Sequence, residues 1–249
     1  MIRAHLATFP PRKDLLPYLL ERISPQFDRV FVCLNGYADV PDFFGKYTNI
    51  ETLIPDQDLK DAGKFAFPVQ ADDIVFTLDD DIAYPTDYVA RTLDFTSKLP
   101  LESNTIGYQG NAFILKKSTG SCGWKNFIFH KKCPNIFKVD IIGTGTAVFS
   151  GANCPNLDEI QLSAGFVDYP FSRLQTEKGV NMWTLPREVG YLGQNLPAHL
   201  WESSLFNTVN QVRPPNMMSE FGKLMAGRSP RSGLTWEKYI ESRACGRSA

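Results

Sequence analysis

The sequence predicts an α/β protein whose first half is a mostly parallel, doubly wound sheet and whose second half contains shorter strands. Apolar segments of strand length alternate with helix-like segments over residues 1–100. Residues 74–78 carry no charge, which is typical of a central strand covered by helices on both faces. Between residues 105 and 149, short apolar segments are separated by glycine and polar turns, a pattern that favours hairpins.

In the first half, strands are predicted where short apolar runs stop at turn residues. These runs are residues 2–8, 29–34, 50–54 and 74–78. The leucine spacing of residues 13–23 predicts an amphipathic helix. A second helix is predicted to start after Pro85 and to reach about Leu99, because proline is favoured at the start of a helix.

In the second half, strands are predicted at residues 106–108, 112–115, 127–129, 137–142 and 180–185. Polar-faced helical patterns cover residues 168–179, 205–212 and about 236–243. We predict one domain over residues 1–249: a first half of about 1–100, a second half of about 101–212, and a C-terminal tail of 213–249.

Composition excludes some classes of function. With 249 residues and a net charge of −1, the chain has no basic footprint for nucleic acid. No apolar run approaches the roughly 20 residues that span a bilayer. The N-terminus lacks the apolar core of a signal peptide, so we expect a cytoplasmic location. The five cysteines lack zinc-type spacing and are expected to be reduced thiols, with a Cys122–Cys133 pair as the alternative in an oxidising compartment.

The most informative stretch is the apolar run 74–78 followed by Asp79, Asp80 and Asp81. Open α/β sheets bind their ligands at the carboxyl ends of strands. Three adjacent carboxylates repel one another unless a positive charge lies among them. A divalent cation with oxygen ligands, Mg²⁺ or Mn²⁺, would supply that charge and complete its coordination with water and phosphates. The alternative interpretation is an acidic turn before a helix.

Several segments together resemble one family in their order and spacing. They are residues 8–12, 34–37, 61–65, 76–85, 143–145 and 167–168. This combination resembles the GT-A glycosyltransferases, most of all the bacterial heparosan-type α-N-acetylglucosaminyltransferases and, more distantly, the exostosin-like transferases. The resemblance covers about residues 1–195, and the triple aspartate followed by Tyr84 and Pro85 is its most specific part. The polar loop 117–126 and the chain beyond about Pro197 depart from it.

The resemblance implies a GT-A fold with a Rossmann-like nucleotide-sugar half, a mixed central sheet and an abutting acceptor half. It implies a UDP-sugar donor whose base, ribose and diphosphate need polar loop residues and cations. The residues implied for donor contacts are Thr8, Arg12, Asn35, Asp61, Lys64, Asp79 and Asp80. Asp81 is implied as the metal ligand, and His199 is a candidate further ligand whose alternative is an ordinary loop histidine.

Two residues are expected to take part in catalysis. Asp168 lies among apolar residues in the acceptor half, where a carboxylate suits a base or stabilises positive charge at the sugar carbon. It could instead cap the helix that follows. Arg187 resembles a family arginine that meets the departing diphosphate. Its alternative is a surface arginine paired with Glu188.

The expected activity is the metal-dependent transfer of a sugar from UDP to a hydroxyl of a glycan acceptor. The resemblance favours N-acetylglucosamine, retention of configuration and polysaccharide or lipopolysaccharide biosynthesis. Alternatives are a sugar-phosphate nucleotidyltransferase, which would want a glycine-rich phosphate loop near its N-terminus, and an inactive glycan-binding module. From Arg213 onward, seven Lys or Arg stand against three Glu, so the tail could contact an anionic membrane or an acidic acceptor, or be a solvated helix.

Overall fold

The computed structural model describes residues 1–115 and 120–245. Its strands are β1 Ile2–Thr8, β2 Arg29–Leu34, β3 Ile50–Leu53, β4 Ile74–Asp79, β5 Ile82–Ala83, β6 Asn104–Gly107, β7 Gly110–Leu115, β8 Cys122–Phe127, β9 Phe137–Val139, β10 Ile141–Ile142, β11 Val148–Ser150, β12 Asn181–Thr184 and β13 Gly193–Gln194. Its α-helices are α1 Leu16–Ile23, α2 Tyr88–Leu93, α3 Leu157–Ile160, α4 Asp168–Glu177, α5 Leu205–Val212, α6 Pro215–Gly227 and α7 Trp236–Cys245. No helix within these ranges is long and apolar enough to cross a membrane.

The central sheet has eight strands in the order β3-β2-β1-β4-β11-β6-β12-β9. The four strands of the first half run parallel, whereas β11 is antiparallel to both of its neighbours. The predicted mixed sheet is therefore confirmed. Small sheets β10-β7-β8 and β13-β5 lie beside it. Because β1, β2 and β4 are parallel, their carboxyl ends all meet at one edge.

Alternation along the strands divides the core between the two faces of the central sheet. Phe76 packs in a cluster with the leucines of α1, whereas its neighbour Val75 packs in a second cluster with Phe171 of α4. Adjacent strand residues point to opposite faces, so one strand serves both clusters. The uncharged sequence of β4 follows from this double burial.

Strand β1 also carries two buried polar side chains. Arg3 pairs with Asp73 at 2.8 Å and donates from its Nε to the Nε2 of His5, also at 2.8 Å. Burial lowers the pKa of His5 to about 3, so the ring is neutral and its Nδ1–H donates to the carbonyl oxygen of Lys64 at 2.7 Å. This chain of contacts fixes the backbone of Lys64 against the sheet.

Three sequence-based element predictions need correction. The predicted helix 13–23 begins as a 3-10 helix, Pro10–Leu15, and only then becomes α1, because two prolines remove backbone donors there. The predicted strand 127–129 is displaced, since β8 covers Cys122–Phe127 within the region read as a polar loop. Residues 117–119 of that region lie outside the described residues. Helix α6 was not predicted at all.

The segment after residue 213 packs on the body of the fold. Arg173 of α4 donates to Glu220 of α6 at 2.7 Å. Trp236 and Tyr239 of α7 stack edge-on against the buried Trp183. Helix α7 thus starts where it was predicted, and it packs through Trp236 and Tyr239 while Glu237, Lys238 and Arg243 are exposed, so the prediction of a solvated terminal helix holds for its charged side.

The described basic residues of the same segment make varied contacts. Lys223 pairs with Glu220 at 2.7 Å, and the Arg228 guanidinium carbon lies 5.1 Å from the ring centroid of Phe113. The cysteines described with their side chains, Cys33, Cys122, Cys133 and Cys154, are free, so the alternative pairing of Cys122 with Cys133 is not formed.

Candidate active site

A cavity of about 960 Å³ opens at the carboxyl edge of the parallel strands. Nine of the eleven residues predicted to form the site line it: Thr8, Arg12, Asn35, Asp61, Lys64, Asp79, Asp80, Asp81 and Asp168. Parallel strands deliver their terminal residues to one edge, which brings together side chains from distant parts of the chain. Arg187 and His199 are not among the lining residues.

The three aspartates lie beside two cations of the chain itself. The Lys64 ammonium bonds to the carboxylate of Asp79, and the Arg12 guanidinium bonds to the carboxylate of Asp80. Arg12 also lies 3.1 Å from an oxygen of Asp81. Burial and the nearby charge of Asp79 raise the pKa of Asp81 to about 6. Arg12 and Lys64 therefore supply part of the positive charge that three adjacent carboxylates require.

Tyr84 and Gly145 shape the turn that carries these carboxylates. The backbone N–H of Asp79 donates to the Tyr84 hydroxyl at 2.9 Å, and that hydroxyl donates to the carbonyl oxygen of Gly145 at 2.5 Å. A Cβ atom on Gly145 would lie 2.0 Å from Oδ2 of Asp79. The glycine therefore allows a carboxylate of the protein to approach the backbone closely.

Asp168 is the first residue of α4. Its Oδ1 accepts hydrogen bonds from the N–H and the hydroxyl of Thr144, at 2.8 and 2.7 Å. Burial raises the pKa of Asp168. Its side chain makes no cap bond to its own helix, which begins after Val167, so the capping interpretation is wrong. The carboxylate is instead held at the cavity wall by the glycine-rich turn that contains Thr144.

Asn35 and Asp61 hold loops at the cavity edge. The Asn35 side chain accepts from the N–H of Leu59 and donates to the carbonyl of Lys60, both at 2.9 Å. Asp61 accepts from the N–H of Gly165 at 2.5 Å and of Val167 at 3.3 Å. Burial raises the pKa of Asp61 to about 6. Both residues line the cavity, and their polar atoms also set its shape.

Three buried polar atoms at this edge lack a hydrogen-bond partner within the described part of the chain. They are Oγ1 of Thr8, Nε of Arg12 and Oδ2 of Asp80. Burial raises the pKa of Asp80, and both the charge of Arg12 and the nearby Thr8 hydroxyl oppose this rise, so of the three atoms Nε of Arg12 is the most clearly unpaired. An unpaired buried polar atom costs about 1–3 kcal/mol. Donors and acceptors left in this state beside a cavity indicate a polar ligand or bound water.

Arg187 does not occupy the predicted position. Its guanidinium is buried and donates to the carbonyl oxygens of Ile128, Phe129 and Leu185, at 2.7, 2.8 and 3.0 Å. The alternative pairing with Glu188 is also absent, since Glu188 pairs with Lys132 at 2.9 Å. All of these donors bind backbone, so Arg187 fixes the loop after β8 rather than facing a diphosphate.

His199 lies exposed on the 3-10 helix Ala198–Ser203 and does not line the cavity. The segment before it does reach the acidic turn, because the N–H of Asn195 donates to the carbonyl oxygen of Asp81 at 2.8 Å. No group of three or more His, Cys, Asp or Glu side chains in the described ranges could hold a metal by itself. A cation here would need ligands from a substrate.

Sequence reasoning missed Arg213 and the apolar side of the cavity. Arg213 is exposed, lines the cavity and has positive φ (47°). Helix α6 contributes Met217, Met218 and Phe221 to the same cavity. The spacing of Met217, Phe221 and Leu224 is amphipathic and could have predicted this helix. No motif marked Arg213, because its role depends on where α6 docks.

No protein-family model matches the chain, and no characterised protein matches it in sequence. Among solved structures, it is similar to residues 1–349 of TarS from S. aureus, with a TM-score of 0.50 and 9% identity over 91% of this chain and 80% of that one. A mannose-6-phosphate isomerase from Helicobacter pylori gives a TM-score of 0.41 and 9% identity over 75% of this chain and 86% of that one, too weak to bear on the fold. The chain is thus an α/β protein with a mixed central sheet whose fold is similar to that of TarS.

Proposed function

We propose that this protein is a glycosyltransferase that binds a UDP-sugar in the cavity and transfers the sugar to a glycan hydroxyl. The convergence of nine predicted residues on one cavity carries the proposal. They come from separate segments of a chain whose fold, but not its sequence, resembles a known protein. A fold alone does not define an activity, so the site has to support it.

The first half of the cavity wall suits the nucleotide. The ends of β1 and β2 and the loop at residues 58–61 place polar side chains and backbone there. The unpaired atoms of Thr8, Arg12 and Asp80 are donors and acceptors that a base or ribose can satisfy. Because these atoms are already buried, pairing them with a ligand recovers part of their desolvation cost.

A divalent cation fits the acidic turn. Three carboxylates, Asp79 to Asp81, stand against two cations, Lys64 and Arg12, so the turn itself would repel a diphosphate. The side chains of Asp79 and Asp81 remain 38% and 23% exposed, and carboxylate oxygens suit Mg²⁺ or Mn²⁺. Asp81, with Asp79 beside it, would hold the ion, and the diphosphate and water would complete its shell. When bound, the ion supplies positive charge to the leaving diphosphate.

The remaining chemistry falls to residues of the chain. As the bond between sugar carbon and diphosphate oxygen breaks, the oxygen keeps the electron pair and negative charge grows on the phosphates. Arg213 lines the cavity without an ion-pair partner among the described residues, so it can take up that charge. Asp168, fixed by Thr144, is available to the sugar carbon or the acceptor hydroxyl. Retention of configuration and N-acetylglucosamine as the sugar follow from the family resemblance.

Titration calorimetry with UDP, with and without Mn²⁺, tests the proposal. We expect UDP to bind, with an affinity at least about tenfold higher when Mn²⁺ is present, since about 1.4 kcal/mol corresponds to a factor of ten. Hydrolysis of a panel of UDP-sugars then identifies the donor. Absence of UDP binding in the presence of Mn²⁺ would refute the proposal, and glycan binding without UDP binding would favour an inactive module.

A further inference from the structure

The second half of the chain gives the cavity an aromatic wall formed by Trp124, Tyr169 and Phe221. The ring centroid of Phe221 lies 5.9 Å from that of Trp124 and 5.8 Å from that of Tyr169. Trp124 is also held edge-on by Phe113 at 5.2 Å and still exposes 37% of its surface. A fixed, partly exposed indole in a cavity offers a flat apolar surface to a ligand.

Amide side chains lie next to the aromatic wall. Strands β7 and β8 pair with Asn111 opposite Asn126 and with Phe113 opposite Trp124. Residues two apart in a strand share a face, so the amide pair and the indole lie on the same face of this hairpin. Nδ2 of Asn111 donates to Oδ1 of Asn126 at 2.8 Å, which orients both amides. Gln109 adds a third amide to the lining.

Charge is sparse in this half of the cavity. Among the described lining residues from 109 onward, only Asp168 and Arg213 carry charge. Asp168 directly precedes Tyr169 in α4, and the Arg213 charge acts to lower the pKa of Tyr169. Both of these charges therefore lie at the Tyr169 end, and the described lining residues of the hairpin end, Trp124 and the amides, are uncharged.

We infer that the neutral end of the cavity binds a pyranose ring of the acceptor, an uncharged sugar whose apolar C–H face stacks on Trp124 while its hydroxyls bond to the amides. The inference rests on the proposed function and gives the acceptor a chemical class. A sugar ring has one face rich in C–H groups and a rim of hydroxyls, which matches an indole beside oriented amides. The volume of about 960 Å³ lies at the upper end of ligand-site sizes, in keeping with a donor and an acceptor ring together.

The test uses the full chain with Mn²⁺ and UDP present. Methyl β-D-glucopyranoside, methyl β-D-galactopyranoside and methyl N-acetyl-β-D-glucosaminide are titrated by ligand-observed NMR, with methyl β-D-glucuronide as the charged counterpart. We expect at least one neutral glycoside to bind more tightly than the glucuronide. Trp124→Ala should weaken that binding at least about tenfold, because it removes the flat apolar surface on which the sugar ring stacks. Trp124→Phe keeps a flat ring and should stay within about threefold of wild type.

UDP affinity, measured on the same variants, separates the two proposals. It should change less than about twofold in Trp124→Ala. If UDP binds and no neutral glycoside does, or if Trp124→Ala leaves glycoside binding unchanged, the acceptor inference is overturned and the donor proposal stands. Tighter binding of the glucuronide would also overturn it. If UDP affinity falls together with glycoside affinity, the wall belongs to the donor, and if wild type fails to bind UDP, the proposed function itself fails.

Discussion

At the scale of single residues, the acidic turn shows how a charge cluster persists in a fold. Lys64 and Arg12 approach from two different 3-10 helices and leave the three carboxylates with a net charge of −1. Full neutralisation of the carboxylates would remove their attraction for a metal. Without any neutralisation, their mutual repulsion would keep the turn from packing. The arrangement between these limits supports a site that binds a cation and a diphosphate together.

Substituting the two key carboxylates should separate binding from chemistry. Asp81→Asn removes the charge that would hold the metal, so we expect it to abolish transfer and to weaken UDP binding in Mn²⁺ at least about tenfold. Asp168→Asn should abolish transfer while UDP affinity stays within about twofold. Thermal unfolding should show that both variants are folded. Full turnover in either variant would remove that residue from the mechanism.

The two arginines of the second half should respond in opposite ways. Arg213→Ala should weaken UDP binding about tenfold with little effect on stability, because the side chain is exposed at the cavity. Arg187→Met leaves three backbone carbonyls without their donor and should cost about 2–4 kcal/mol of unfolding free energy. UDP affinity of the folded Arg187→Met protein should stay near that of wild type. Urea unfolding and calorimetry on both variants check this, and a reversed pattern would restore Arg187 to the site.

A methyl group at Gly145 tests the close approach of Asp79. In Gly145→Ala the Cβ would lie 2.0 Å from Oδ2 of Asp79, so the carboxylate must leave Lys64 or the turn must shift. We expect a loss of about 1–3 kcal/mol in stability and about tenfold in UDP affinity. Gly45→Ala is the control, because no atom lies within 4 Å of its Cβ position. Equal UDP affinities for the two variants would contradict the assignment.

At the scale of elements, the strands were predictable and the connections between them were not. Strands β2 and β4 follow from apolar runs that end at turn residues, because burial on both faces leaves no polar alternation, whereas β1 alternates and buries the polar Arg3 and His5. The 3-10 helix at Lys60–Phe65 and the loop before α4 are held by side chains distant in sequence, such as Asp61 on Gly165. A local sequence pattern carries no information about such distant partners, so the conformation of these segments could not be predicted from the sequence.

Asp61, which accepts hydrogen bonds from Gly165 and Val167, should affect how the stability of the protein depends on pH. Its pKa is about 6 in the folded protein and 3.8 for an ordinary aspartate, so between these values the native state holds a proton that the unfolded chain has released. The ionised carboxylate therefore destabilises the fold above pH 6, and this cost disappears as the pH falls towards 4. The sign is opposite to that of a carboxylate in a favourable ion pair.

Asp61→Asn removes this titration. The free energy of unfolding of the variant, minus that of wild type, should be roughly 1–3 kcal/mol larger at pH 7.5 than at pH 4.5. Urea unfolding at the two pH values measures the difference. Because Asn keeps one acceptor oxygen, the bond to Gly165 can survive. Loss of the Val167 bond changes the free energy of unfolding by the same amount at both pH values. A difference that does not vary with pH would show that Asp61 does not titrate in this range.

At the scale of the whole molecule, the cavity residues from the first half of the chain were predictable, and the aromatic wall from the second half was not. Thr8, Asn35 and Asp79 follow strand ends, so topology alone brings them to one edge. The aromatic wall instead depends on the docking of α6 against α4, which no local signal encodes. The same docking brings the first part of the segment after residue 213, from Arg213 to Phe221, to the cavity wall.

The docking of α6 can be tested through its ion pair. Glu220 bonds to Arg173 of α4 at 2.7 Å and is 12% exposed, so Glu220→Gln should weaken this junction by about 1 kcal/mol. Hydrogen exchange of the amides in residues 215–227 should then accelerate about fivefold, while exchange in the central sheet stays unchanged. Glu177→Gln is a matched control, because Glu177 also pairs with Arg173 but lies on α4 itself and is 56% exposed.

The exchange rates of the two variants show whether the ion pair or the buried side chains of α6 hold the aromatic wall in place. If α6 is held to the fold chiefly by this ion pair, Glu220→Gln alone loosens it, and binding of a neutral methyl glycoside falls with it while UDP affinity does not. If Met217 and Leu224, both buried, hold the helix without help, the two variants exchange at the same rate. That result would make the aromatic wall a rigid part of the core, and the ion pair would then contribute only to its surface.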